Sequence, residues 1–209
     1  MNKDKYVLAT ANPGKIKEMR EIMSKLGIEV VSREDLGIDI KIEETGTTFL
    51  ENAQIKAEAI CKLAGFPAIA DDSGLIVDAL DGEPGVYSSS YGGEALTADE
   101  RCRYLLEKMK NTEQRQAKFV CTIVCVFPNG DLLTTTGECS GEIATEPAGK
   151  SGFGYDPVFK VFGSDGCEKT MAELTAEEKN KLSHRGAALH SFSDLLKTYR
   201  KTPRDRTIS

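Results

Sequence analysis

Asp71 and Asp72 are adjacent, and Ser73 and Gly74 follow them. Apolar runs flank the group, Ala68-Ile69-Ala70 before it and Leu75-Ile76-Val77 after it. Short runs rich in Ile and Val read as buried strand. A carboxylate in such surroundings is costly unless a cation or hydrogen bonds compensate it. Two in succession suit a metal ligand and a general base. Asp, Ser and Gly are also turn residues, so a tight turn between two strands accounts for the same stretch.

Other polar groups bear on that choice. Glu43-Glu44-Thr45-Gly46 closes an alternating segment; such a pair of acids is either solvated or, across a cleft from Asp71-Asp72, completes a magnesium site. Thr10-Ala11-Asn12-Pro13-Gly14-Lys15 joins a short apolar run to a helix. Backbone N–H groups at a helix start favour anions, and the lysine adds a full charge. The loop is shorter than Gly-x-x-x-x-Gly-Lys-Ser/Thr, so that nucleotide-loop label does not apply. Asn52 and Lys56 share a helix face and present an amide and a cation, to a phosphate or simply to water. Phe153 stands between Gly152 and Gly154, so it can stack on a planar ring or tuck into the core. Asp156 can accept from a base edge or fix its loop. Ser183-His184-Arg185-Gly186 opens the last helix with an imidazole and a forked guanidinium. Cations and amides (Asn12, Lys15, Lys56, Lys179, His184, Arg185), acids (Glu43, Glu44, Asp71, Asp72) and one ring together suit a nucleoside triphosphate with Mg2+. No Ser/His/Asp or Cys/His set stands out, so direct attack by water is the simpler chemistry.

The elements that must position these groups are legible in outline. Tyr6–Ala9 and Glu29–Ser32 read as strands. Between them Ile16, Met19, Ile22, Met23 and Leu26 form one helical stripe that stops at Gly27. Ile38, Ile40 and Ile42 alternate with polar residues, which predicts an edge or half-buried strand. A helix opens at Thr47 or Thr48 and runs to about residue 63. A thirteen-residue Gly- and Ser-rich loop spans Asp81–Gly93, long enough to be functional or mobile. Thr97–Glu100 and Thr175–Glu178 are capping boxes, each starting a helix. Phe119–Phe127 and Leu132–Cys139 flank Pro128-Asn129-Gly130-Asp131 as a hairpin. The expected architecture is α/β, an elongated mixed sheet with helices and two lobes around a central substrate cleft. Residues 1–209 form one two-lobed domain, with about 200–209 a polar tail.

Composition narrows the classes. A chain of 209 residues buries a sizeable core without staples. A net charge of −6 argues against a general nucleic-acid surface, yet leaves room for a local basic pocket. Six cysteines include no Cys-x-x-Cys pair, and there are two histidines; this points to reduced core thiols in a cytoplasmic protein rather than zinc. Cys121 and Cys125 should share a strand face. The start, Met1 to Lys5, is polar, and no long apolar segment follows, so neither a signal peptide nor a membrane span is expected.

Six blocks in order carry a resemblance: Thr10–Lys15; Glu43–Gly46 with Phe49–Ala53 and Lys56; Ala70–Leu75; Pro84-Gly85 with Tyr87-Ser88; Gly152–Pro157; and Ser183–Leu189. In them the chain resembles the inosine triphosphate pyrophosphatases, the XTP/dITP diphosphatases, in their short bacterial form with Tyr155 and Gly186. The resemblance implies a homodimer that cleaves ITP, dITP and XTP to monophosphate and pyrophosphate with Mg2+. It implies that Thr10, Ala11, Asn12, Pro13, Gly14 and Lys15 bind the triphosphate, helped by Lys56. Asp72 would activate water and hold the metal, with Glu43 the second ligand and Glu44 the near alternative. Ser73 would contact substrate, and Phe153, Gly154, Tyr155, Asp156, Lys179, His184 and Arg185 would enclose the base and sugar. Adjacent strand residues face opposite ways, so Asp71 would orient the loop behind Asp72. A donor such as Arg185 or a backbone N–H would favour a 6-oxo purine over adenine. The alternatives are the same chemistry on other modified nucleotides, and a nucleotide sensor without catalysis.

Overall fold

A computed structural model of the chain describes residues 5–162 and 168–202. Met1-Asn2-Lys3-Asp4, Cys167 and the tail from 203 lie outside the described residues. The elements in order are β1 (Tyr6–Leu8), α1 (Pro13–Lys25), β2 (Val30–Ser32), α2 (Phe49–Ala64), β3 (Ala68–Val77), α3 (Ala98–Lys108), β4 (Gln116–Val126), β5 (Leu132–Ile143), β6 (Phe159–Phe162), β7 (Glu168–Thr170), α4 (Ala176–Leu182) and α5 (His184–Lys201). They build a mixed α/β sheet in the order β2-β1-β3-β4-β5-β6-β7. The β2-β1-β3 pairs are parallel, and β3 onward is antiparallel.

The helix starts follow the local chemistry of the sequence. Asn12 caps α1 by accepting from the N–H groups of Gly14 and Lys15. Thr48, Thr97 and Thr175 cap α2, α3 and α4, each in a reciprocal box with Glu three residues on. Ser183 caps α5 by accepting from Gly186 N–H. The β4–β5 hairpin turns through Pro128–Asp131, where Gly130 adopts φ +88°.

β3 is one continuous ten-residue strand. Asp71, Asp72, Ser73 and Gly74 sit in its middle, in unbroken register with Ile123, Thr122, Cys121 and Val120 of β4. The turn alternative is therefore excluded. Alternation along β3 sets out the site. Ile69 lies in a core with Met19 and Met23 of α1 and Leu189 and Phe192 of α5. Leu75 and Val77 lie in a second core with Leu105 of α3, Phe119 and Phe159. Asp71 and Ser73 occupy the same face between those two cores. On the opposite face Ala68 and Ala70 pack under Ala53, Ala57 and Ile60 of α2, and Asp72 follows where that cover ends.

The expected strand at Ile38–Glu44 is corrected: residues 38–46 join no ladder. Ile38, Ile40 and Ile42 still pack, partly buried, against the α2 core, while Asp39, Lys41 and Glu43 are exposed. Period-two alternation reports extended backbone against an apolar surface; it does not supply a hydrogen-bonding partner.

Gly74 is required by close approach. A Cβ there would lie 2.3 Å from the Gly85 carbonyl oxygen and 2.5 Å from Ser88 Oγ. Ser88 Oγ accepts from Leu75 N–H and donates to Gly85 O, so the long 81–93 loop is fastened to β3 at this point. Gly74→Ala is expected to lower unfolding free energy by about 1–3 kcal/mol, measured by chemical denaturation.

Candidate active site

The two central carboxylates have separate surroundings. Asp71 is fully buried. Its Oδ2 receives Lys15 Nζ at 3.0 Å and Arg185 Nε and Nη2 at 3.2 and 3.0 Å. Burial alone would raise its pKa, but Lys15 and Arg185 outweigh that and hold the carboxyl well below the usual carboxylate range. Arg185 also donates to Glu18 through Nη1 and to Ser73 Oγ at 3.0 Å. Its guanidinium is 1% exposed and already committed to these acids and the serine. These bonds hold β3, α1 and α5 together, and Arg185 lines the cavity from that fixed position.

Asp72 points to the other face. Its Oδ1 lies 2.9 Å from Lys56 Nζ, and the same ammonium lies 2.8 Å from Glu44 Oε2. Here burial outweighs Lys56 and Lys15, and the Asp72 carboxyl is raised. Asn52, one turn before Lys56, uses its side-chain oxygen to accept from Gly46 N–H at 2.8 Å. Its amide therefore pins the Glu44 segment to α2 rather than facing a phosphate. Glu44 lines the cavity and Glu43 does not. The signal was present in the sequence: Ile38, Ile40 and Ile42 face inward, and Glu44 continues that phase.

A cavity of about 620 Å³ opens at this point. Thr10, Ala11, Asn12, Lys15, Lys56, Asp72, Ser73, Phe153, Gly154, Tyr155, Asp156, Lys179, His184 and Arg185 all line it. Of the expected binding residues, Pro13 and Gly14 do not. Pro13 lines a neighbouring groove with Lys17 and Arg20. Gly14 supports Phe153, whose ring would be 2.6 Å from a Cβ at that position.

The Phe153 loop, which packs on Gly14, is also held by charge. Asp156 Oδ2 accepts from Phe153 N–H at 2.7 Å and from Lys179 Nζ at 2.5 Å. Of the two roles open to Asp156, the structure supports fixing the loop. Lys179 also pairs with Glu18 at 2.6 Å. The Phe153 ring carries Lys179 at 4.7 Å and Arg185 at 5.7 Å from its centroid. Tyr155 donates to the Ser88 carbonyl at 2.9 Å, closing the loop over the second core. His184 stacks on Phe119, centroids 4.7 Å apart and planes at 13°. Burial, with Arg185 adding to it, pushes the His184 pKa well down, so the imidazole is neutral at physiological pH. Its Nδ1 has no partner among the described residues.

Glu18, Arg101 and Phe119 are parts of this arrangement that motif reading missed. Glu18 follows Lys15 by one helical turn, which is a local signal; its partners Arg185 and Lys179 are remote in sequence and left none. The cysteines behave as core thiols. Cys61, Cys102, Cys121 and Cys125 are buried and free, Cys121 and Cys125 share one core, and burial pushes the Cys121 thiol up to about 12.

The residues present fit a magnesium ion. Asp72 and Glu44 converge on a single cationic point at the cavity wall. No group of three His, Cys, Asp or Glu side chains able to hold a metal occurs among the described residues. Two carboxylates completed by phosphate oxygens and water match magnesium rather than a closed zinc site.

Residues 6–195 match the model of the Ham1 family. The chain is 50% identical over 197 residues to a dITP/XTP pyrophosphatase of Shigella flexneri, covering 92% of this chain and 98% of that one. It is 48% identical over 192 residues to a dITP/XTP pyrophosphatase of Bacillus subtilis, covering 91% and 96%. The solved structure of a HAM1 protein from Coxiella burnetii superposes with a TM-score of 0.82 at 44% identity, covering 93% of this chain and 98% of that one.

Asp71→Asn leaves Lys15 and Arg185 without their buried counter-charge. Its expected cost at neutral pH is about 3–5 kcal/mol, read from urea unfolding. The folded pKa of Asp71 is depressed, so its contribution is present above the unfolded-chain value of about 3.9. That contribution is lost as pH falls through the lower folded value. The gap between wild type and variant should therefore narrow only in strong acid.

Proposed function

The chain belongs to the Ham1 family, and on that premise we propose that it hydrolyses dITP, XTP and ITP to the nucleoside monophosphate and pyrophosphate. The observation that carries this is the pairing of two chemistries in one cavity. Lys15 and Lys56 stand beside the capped start of α1, and Asp72 and Glu44 meet at the same wall.

The triphosphate lies along Thr10–Lys15, where backbone N–H groups and the start of α1 favour negative charge. Lys15 and Lys56 neutralise the phosphates as charge spreads in the transition state. Asp72 takes a proton from the attacking water at its carboxylate. Burial raises the affinity of that carboxylate for a proton, which suits a general base. Asp72 and Glu44 would hold a magnesium ion, which would polarise the phosphoryl oxygens and offset their charge. Ser73, held by Arg185, sits beside the base. Water attack on the α-phosphorus breaks the bond to the β-phosphate, and pyrophosphate leaves as one unit.

Phe153, Gly154, Tyr155 and His184 enclose the nucleobase. Because Arg185 is committed to Asp71 and Glu18, the donors left for a 6-oxo group are the neutral imidazole of His184 and backbone N–H groups. Adenine presents a 6-amino donor at the same place and leaves those donors unpaired, which is costly in a buried site. The proposal includes a homodimer in the cytoplasm, in keeping with the family resemblance. No helix of the described residues is long and apolar enough to cross a membrane.

A nucleotide panel with separate detection of pyrophosphate and orthophosphate tests this. Metal-dependent pyrophosphate release from dITP, XTP and ITP is expected, with ATP and GTP much poorer. Orthophosphate release, or binding without turnover, would contradict it. Asp72→Asn should cost at least about 100-fold in kcat while destabilising the fold less than Asp71→Asn.

A further inference from the structure

Lys56 stands where a metal ion would. Its ammonium is within 3 Å of both Asp72 Oδ1 and Glu44 Oε2, at 2.9 and 2.8 Å. The residue is 7% exposed and projects from the middle of α2, which is capped and packed against the sheet. An ammonium and a divalent cation cannot both occupy the gap between these two carboxylates, because they would repel each other at contact distance.

We propose that Lys56 is a tethered counter-cation that keeps free divalent metal off Asp72 and Glu44 until a triphosphate draws it away. The inference rests on Asp72 and Glu44 being the metal pair. It adds an order to the binding: metal enters with the nucleotide, not before it.

The charges of the cavity support that order. Among the described residues, Lys15, Lys56, Lys179 and Arg185 pair with Glu18, Glu44, Asp71, Asp72 and Asp156, and Arg33, Lys41 and Arg101 add positive charge to the cavity lining. The carboxylates are thus matched by at least as many cations, so the site as a whole offers little extra attraction to a lone divalent ion. A triphosphate changes this by supplying several negative oxygens beside Lys15, within reach of a flexible lysine stem. Lys56 then exchanges a carboxylate for a phosphate, and the carboxylates are released to the metal.

The two carboxylates are unequal in mobility, which suits the exchange. Asp72 is fixed in the β3–β4 ladder opposite Thr122. Glu44 has a 43% exposed side chain and lies on the extended segment 38–46, which joins no ladder. That segment is held near Glu44 by the Asn52 bond to Gly46 N–H. Glu44 can thus turn from ammonium to metal without disturbing the sheet.

The test is Mn2+ binding to the full chain without nucleotide, followed by the electron paramagnetic resonance signal of free Mn2+. Lys56→Met should bind Mn2+ at least about ten-fold more tightly than wild type. Lys197→Met removes an exposed cation that pairs with Asp194 outside the cavity and should leave Mn2+ affinity within about two-fold. If Lys56→Met does not fold, as judged by its melting transition, Lys56→Gln carries the same expectation. Unchanged or weaker Mn2+ binding by the folded Lys56 variant would overturn the proposal. An equal gain in Lys197→Met would also overturn it, by reducing the effect to net charge. A Glu44→Gln, Asp72→Asn double variant that binds Mn2+ as tightly as Lys56→Met would instead remove the metal pair itself. Hydrolysis is tested separately, by the nucleotide panel, so failure of the binding order and failure of the activity are told apart.

Discussion

Two carboxylates side by side on a buried strand cannot share a counter-charge easily, because strand geometry turns them to opposite faces. Each then needs its own cation, and each cation needs a helix to deliver it. α1 and α5 bring Lys15 and Arg185 to Asp71. α2 brings Lys56 to Asp72. The arrangement of helices around β3 follows from that requirement as much as from apolar packing. Deleting either cation would leave a charge buried in low dielectric, which is far more costly than never having buried it.

The two faces diverge in consequence. Asp71 is held through Oδ2 by Lys15 and Arg185, and its proton affinity is lowered. Asp72 has one strong partner and an open cavity beside it, and burial raises its proton affinity. One residue thereby becomes a fixed anchor and its neighbour a group able to exchange partners. The polar middle of β3 is tolerated because the apolar cores sit toward its two ends. The cleft is the interval between them, and the loops that close it are tied by charge at Asp156–Lys179 and by hydrogen bonds at Ser88.

Much of this was legible in the chain itself. The Thr10–Lys15 loop, the capping boxes at Thr97 and Thr175 and the Pro128–Asp131 hairpin are local patterns, and local chemistry decides them. The mixed α/β sheet followed from a long hairpin set beside strand-helix units. What was hidden falls into two kinds. Partners far apart in sequence, such as Glu18 with Arg185 or Tyr155 with Ser88, leave no periodic trace; the bracing of α5 onto β3 through Arg185 is therefore not visible in the chain. Extended backbone without a ladder partner, at residues 38–46, looks like a strand because side-chain alternation is the same in both. The choice between Glu43 and Glu44 belonged to neither kind. Glu44 continues the inward phase of Ile38, Ile40 and Ile42 and lines the cavity, whereas Glu43 has the opposite phase.

The central claim is that β3 divides its carboxylates into an anchor and a reacting group. A crystal structure with Mn2+ and an inosine triphosphate analogue carrying a methylene in place of the α–β bridging oxygen tests it most directly. The predicted result is an anomalous Mn2+ peak against Asp72 and Glu44, Lys56 on a phosphate oxygen, and Asp71 still paired with Arg185. A peak against Asp71 or Glu43, or Lys56 still seated between Asp72 and Glu44 with the metal bound elsewhere, would contradict it.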